Sequence, residues 1–242
     1  MVCMLEPLYT CNLACIGCGR IIEYKPVLDK MMSVEEALAA CATSGAPIVS
    51  IAGGEPLIHP EIGQIVDGMI ARRIPVYLCT NAILLEKNLH KFKPSPYLIF
   101  SVHLDGVEKT HDRMVCQQGV YKTAISAIKL AKKLGFCVMT NSTIFQGESA
   151  EEFRTFFDDN MAMGLDGMMI SPGYAYEKAP EQQLFLKQEQ SKAWFKEAIK
   201  DWRSKGWAFN HSPFYMDFLE GKRTYDCTPW GNPLRNVFGW QR

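Results

Sequence analysis

The eight residues CNLACIGC place Cys11, Cys15 and Cys18 three and two residues apart, directly after an apolar run that reads as a strand. Free cysteine is often a buried residue, but three in so short a stretch, mixed with Asn12, Gly17 and Gly19, do not fit a core strand. A structural zinc site takes four N or S ligands, and no CxxC or HxxxH partner follows within roughly twenty residues. Three thiolates suit an iron–sulfur cube. An electron-transfer cluster is held by four cysteines, so a set of three leaves one iron open for another ligand. The stretch therefore reads as a tridentate 4Fe-4S loop formed by Cys11, Cys15 and Cys18, with a zinc-binding or non-catalytic iron–sulfur module as the alternative.

The rest of the chain alternates strand and helix. A first strand is expected over residues 4–9, and Ser33 with Glu36 forms a capping box for a helix ending at Ser44-Gly45. A second strand over 48–52 leads into GGEP. Apolar residues at Ile62, Ile65, Val66, Met69 and Ile70 mark one helix face within 61–73. Further strands are expected over 76–79, 97–104, 137–144 and 167–171, and further helices over 84–92, 119–134, 151–163 and 191–205. Six such units predict an α/β fold with a parallel sheet, a partial (β/α)6 TIM-like barrel over residues 1–206. Residues 207–242, dense in aromatic, Gly, Pro and Asn residues, read as a C-terminal cap or appendage rather than another βα unit.

At 242 residues, 48% hydrophobic and 21% charged, the chain is long enough to bury a sizeable core. Lys+Arg and Asp+Glu both number 26, so no basic excess marks a nucleic-acid partner, and none is expected. Nine cysteines, three clustered and six scattered, predict a reducing compartment, the cytoplasm. No apolar run approaches the roughly 18 residues that cross a bilayer.

In α/β barrels, sites form at the carboxyl ends of the strands, and alternation decides which side chains share a face. Tyr77, Cys79 and Asn81 share one side of the third strand, and Ile99, Ser101, His103 and Asp105 one side of the fourth. Asn141 and Thr143 share a face of the fifth, and Ser171 ends the sixth. A polar face on a buried parallel strand is costly unless it is a site. Gly53-Gly54-Glu55-Pro56 ends the second strand with backbone that a ligand can approach and an acidic side chain beside it. Read alone, it is also an ordinary tight turn.

CxxxCxxC after a first strand, with GGEP one βα unit later, resembles the radical S-adenosylmethionine (SAM) enzymes. The resemblance implies a 4Fe-4S cluster on Cys11, Cys15 and Cys18, SAM at the open iron, and contact between GGEP and the amino group of its methionine. It implies further cofactor contacts from Asn81, His103, Asp105, Asn141 and Ser171, and from Arg113 of His111-Asp112-Arg113 to the cofactor carboxylate. His103 stands where related enzymes carry a small hydroxyl residue, and Gly17 where many carry a larger apolar or aromatic one near the adenine.

Along essentially its whole length the chain is similar to one branch, the hopanoid-biosynthesis enzymes that make adenosylhopane. The segments are MLEPLYTCNLACIGCG, VSIAGGEPL, YLCTNA, KPSPY, FSVHLDG, HDRMVCQQGV, SPGYAYEKAP and CTPWGNPLRNVFGWQR. The last two are the distinguishing ones. This implies addition of a 5'-deoxyadenosyl radical to the terminal alkene of diploptene, with an electron donor such as a flavodoxin or ferredoxin. It implies peripheral contact with a membrane, where such a lipid dissolves, and further chain beyond both ends. Cys79 is the expected hydrogen donor to the resulting carbon radical. Cys116 and Cys227 are less well placed, and Cys3, Cys41 and Cys137 read as structural. Hydrogen abstraction from a peptide or another small substrate is the alternative within the same chemistry.

Overall fold

The computed structural model describes residues 2–173 and 177–224. Residues 174–176, within SPGYAYEKAP, and residues 225–242, which hold Cys227 and the whole of CTPWGNPLRNVFGWQR, lie outside that description. Six parallel strands form one sheet in chain order: β1 (Cys3–Leu5), β2 (Val49–Ile51), β3 (Val76–Thr80), β4 (Leu98–His103), β5 (Cys137–Ile144) and β6 (Gly167–Pro172). The helices are α1 (Arg20–Glu23), α2 (Val34–Ser44), α3 (Ile62–Ile70), α4 (Leu85–Asn88), α5 (Glu108–Met114), α6 (Val120–Lys133), α7 (Ala150–Ala162), α8 (Gln188–Ala198), α9 (Trp202–Lys205) and α10 (Pro213–Leu219). The sheet curls into the expected half-barrel.

Alternation along the strands divides the side chains as anticipated. Val76, Leu78, Phe100, Val102, Val138 and Ile170 are fully buried on the helix side. There they meet Ile62, Ile65, Val66 and Met69 of α3 and Ala124, Ala127, Ile128 and Ala131 of α6. Tyr77, Cys79, His103, Asn141 and Thr143, on the other side, are only half-buried. The helix starts follow local chemistry. In α2 the Ser33 hydroxyl accepts from Glu36 N at 3.2 Å and the Glu36 carboxylate accepts from Ser33 N at 2.7 Å. Gly45 closes that helix at φ 59°, a conformation suited to glycine.

Several boundaries differ from those read in the sequence. The first strand keeps only three residues, because Pro7 lacks a backbone donor and the chain turns from there to hydrogen-bond with residues 52–55. The helix expected over 191–205 is two helices, α8 and α9, separated at Asp201, whose φ is 60°. Residues 108–114, where no element is expected from the sequence, form α5. The C-terminal region that follows the six βα units pairs with β6 at one isolated bridge. Met168 N donates to Ala208 O at 2.8 Å and Asn210 N to Met168 O at 2.7 Å, a single parallel bridge followed by α10. Trp207, Met216 and Leu219 belong to the same apolar core as the strands.

Phe100 is fully buried and packs edge-on to Phe92 at 5.4 Å and against Phe136 at 5.2 Å. Phe100→Ala is expected to destabilise the fold by about 3–5 kcal/mol, read as a lower urea midpoint with an unchanged slope.

Candidate active site

The three cysteines, the GGEP turn and the strand ends surround one cleft of about 410 Å3. Its wall includes Cys11, Cys15, Cys18, Gly53, Gly54, Glu55, Cys79, Asn81, His103 and Asp105, so most of the anticipated residues meet there. Leu13, Ile21, Met114, Phe145 and Phe185 supply an apolar side. Arg113, Asn141 and Ser171 do not line the cleft. Arg113 is exposed on α5, and its charge acts on Glu148 instead. Asn141 and Ser171 lie on strands that reach the cleft two residues later, at Thr143 and Gly173.

The cysteine loop is held by backbone. Ala52 N donates to Leu5 O at 2.8 Å, Gly54 N to Leu8 O at 3.0 Å and Glu55 N to Thr10 O at 2.9 Å. This close approach explains the glycines: a Cβ on Gly53 would lie 2.3 Å from Leu8 O, and one on Gly54 2.0 Å from Thr10 O. Beyond the turn, Ile16 N donates to Met114 O at 2.9 Å, and Leu13 packs with Val115 and Val120. Asn81 completes the circuit, its Nδ2 donating to Asn12 Oδ1 at 2.7 Å.

Glu55 is 1% exposed, and both its oxygens are engaged by protein donors. Oε1 accepts from Thr80 Oγ1 at 2.8 Å and Leu57 N at 3.0 Å, and Oε2 from Asn81 N at 2.8 Å. Burial pushes its pKa up against those donors. The carboxylate thus fastens the GGEP turn to the end of β3, and the turn lines the cleft at Gly53, Gly54 and Glu55.

Asp105 is a second junction, 1% exposed. Its Oδ2 pairs with His103 Nε2 at 2.7 Å, its Oδ1 accepts from Thr143 N at 2.8 Å, and its own N–H donates to His111 Nδ1 at 3.1 Å. His103 is subject to burial, which opposes its charged form, but the Asp105 carboxylate prevails and raises its pKa. Burial, aided by the charge of His103, lowers His111 to about 4, so it serves as a neutral acceptor. Asp112 accepts from Gly119 N at 2.6 Å and Tyr121 N at 2.8 Å at the start of α6. His111 and Asp112 are therefore scaffold.

One contact in the wall and one residue behind it had no sequence signal. The Phe145 ring lies over Gly17, where a Cβ would come within 2.6 Å of it. Glu148 is buried, its Oε2 accepting from Phe145 N at 3.1 Å while its Oε1 has no partner among the described residues. Burial and then the charge of Asp105 push its pKa up to about 8.

The donor set suits a cluster. Burial foremost raises the pKa of the Cys11 and Cys15 thiols, and for both the charge of Cys18 adds to it, a cost that cationic iron relieves. Among the described residues no three His, Cys, Asp or Glu side chains converge as on a single ion, the arrangement a zinc site would need. Thiolates that each hold a different iron of a cube need not converge in that way.

Residues 5–159 match the radical SAM superfamily, and residues 168–242 match a domain of unknown function, DUF3463. The chain belongs to the radical SAM superfamily, whose cofactors are a 4Fe-4S cluster and SAM. It is 28% identical over 151 residues to the AdoMet-dependent heme synthase of Methanosarcina barkeri, covering 60% of this chain and 43% of that protein. To a GTP 3',8-cyclase of Listeria monocytogenes it is 27% identical over 158 residues, covering 60% and 46%. The chain thus spans less than half the length of these curated relatives. The structure of SuiB from Streptococcus suis superposes with a TM-score of 0.74 at 15% identity, over 95% of this chain and 53% of that one. Methylornithine synthase (PylB) superposes with a TM-score of 0.62 at 14% identity, over 90% and 68%. These likenesses establish the shared fold.

Gly54→Ala should lower the iron and acid-labile sulfide retained after anaerobic reconstitution and cost about 1–3 kcal/mol in urea unfolding, as the turn is forced off residues 8–10. Glu148 gives a pH signature. Its carboxyl stays protonated in the folded chain where the unfolded one, with an ordinary value of 4.5, has ionised, so its stabilising contribution is complete below about pH 4.5 and is lost as the pH rises through about 8. Glu148→Gln should flatten that loss and, at pH 8, raise stability by on the order of 2–4 kcal/mol, checked by urea midpoints at pH 5 and 8.

Proposed function

We propose that this radical SAM enzyme joins the 5'-deoxyadenosyl group to the terminal alkene of diploptene, forming adenosylhopane. In this reading Cys11, Cys15 and Cys18 hold the cluster, and the Gly53-Gly54 backbone with Asn81, His103 and Asp105 lies along the bound SAM. Phe145, folded over Gly17, takes the place of the larger side chain that related enzymes carry at that position. The cluster and SAM, when bound, supply the 5'-deoxyadenosyl radical in the cleft.

The observation that carries the reading is Cys79, a thiol in the wall of that cleft. Burial raises its pKa, so it is held as S–H. Addition to an alkene forms one C–C bond and leaves an unpaired electron on a tertiary carbon. Cys79 ends that state: its S–H bond breaks, a C–H bond forms, and the unpaired electron passes to sulfur. The exchange runs downhill because an S–H bond is weaker than a tertiary C–H bond. One electron from a flavodoxin or ferredoxin and one proton from solvent restore the thiol.

The apolar wall of Leu13, Ile21, Met114, Phe145 and Phe185 suits a hydrocarbon. Among the described residues no helix is long and apolar enough to cross a membrane, so the lipid is met at the bilayer surface in this reading.

The test is an anaerobic assay with SAM, reductant and diploptene, with lipid and nucleoside both analysed by mass. The native chain is expected to give adenosylhopane. Cys79→Ala should reduce the saturated adduct per SAM cleaved by at least about tenfold and leave an unsaturated or altered adduct in its place. Free 5'-deoxyadenosine with no lipid adduct would mean hydrogen abstraction from a different substrate.

A further inference from the structure

Cys79 sits between two serines. Pairing of β3 with β4 sets Ser101 directly across from Cys79, and pairing of β2 with β3 sets Ser50 across from Tyr77, two residues earlier. All three side chains lie on the concave face of the sheet. The Ser50 hydroxyl oxygen is 3.5 Å from Cys79 Sγ, and Ser101 faces Cys79 across the β3–β4 pair. Ser101 is 3% exposed, so its hydroxyl is costly to leave unbonded. Both hydroxyls oppose the rise that burial imposes on the thiol.

A thiol sulfur is a weak acceptor as well as a weak donor, and it carries two lone pairs and one hydrogen. If each hydroxyl donates to one lone pair, the S–H bond is left the remaining direction. Ser50 and Ser101 approach from the two flanking strands, neither of them lines the cleft, and Cys79 does. We propose that Ser50 and Ser101 are positioning residues that hold the Cys79 sulfur from behind and aim its S–H bond into the cleft. This rests on Cys79 being the hydrogen donor. The two serines then set the direction from which hydrogen reaches the carbon radical.

The assay is run in D2O, where the thiol carries deuterium, and scores deuterated saturated adduct against unsaturated adduct per SAM cleaved. Ser50→Ala, Ser101→Ala and the double variant are compared with Cys79→Ala and with Ser50→Thr, which keeps a hydroxyl. The ratio should fall by about tenfold in the double variant, a change of about 1.4 kcal/mol in partition, and recover in Ser50→Thr. A second readout uses protein without cluster or SAM. The rate at which iodoacetamide alkylates the Cys79 peptide, followed by mass against pH, should shift to higher pH when the hydroxyl donors are removed. Circular dichroism melting confirms folding of each variant. An unchanged ratio and alkylation profile in the double variant, with the ratio lost in Cys79→Ala, would overturn the positioning role alone. A ratio that survives Cys79→Ala would instead overturn the donor assignment on which the inference stands.

Discussion

The site depends on a short backbone ladder between residues 5–10 and residues 52–55. β1 contributes only three residues to the sheet, yet the chain after it stays aligned with the end of β2 through three further N–H to C=O bonds. That alignment launches the cysteine loop from a fixed point. It also demands residues without side chains at Gly53 and Gly54, because the space a Cβ would take is filled by the carbonyls of Leu8 and Thr10. Glu55 carries the alignment onward to β3 through Thr80 and Asn81, and Asn81 returns to Asn12 inside the loop. Three separate strand ends are thereby locked in one arrangement.

Asp105 performs the same service on the opposite wall. It gathers His103, His111 and the start of the turn after Thr143, so that β4, α5 and β5 meet at a single buried carboxylate. A buried acid with partners at both oxygens and at its own amide is a rigid fixture, since losing any partner would strand a charge or a dipole away from water. His103 is the only member of this group that reaches the cleft with part of its ring exposed, 31% of its side chain.

Much of this was legible before any coordinates. β5 spans the residues expected of it because Gly135 stops the preceding helix and an unbroken strand-forming run follows. The cysteines, the GGEP turn and the polar faces of β3 and β4 declared the cleft, because strand alternation is a local rule. What failed was tertiary. Glu55 reads in sequence as an acidic side chain beside the glycine turn, and nothing local reveals that two amides and a hydroxyl converge on it. Arg113 reads as a ligand-facing cation, but α5 turns it outward while His111 and Asp112 face in. The contact between Phe145 and Gly17 joins residues more than a hundred positions apart and leaves no mark in either segment.

The interlock between the cysteine loop and the glycine turn has a consequence for transplantation. Two stretches that look like independent signatures behave as a single part, with the third strand's Thr80 and Asn81 as its latch. A graft that moved only the cysteine loop onto another half-barrel would arrive without the surface it was moulded against. The smallest portable unit is three strand ends, and recombination would preserve the site only by exchanging all three together.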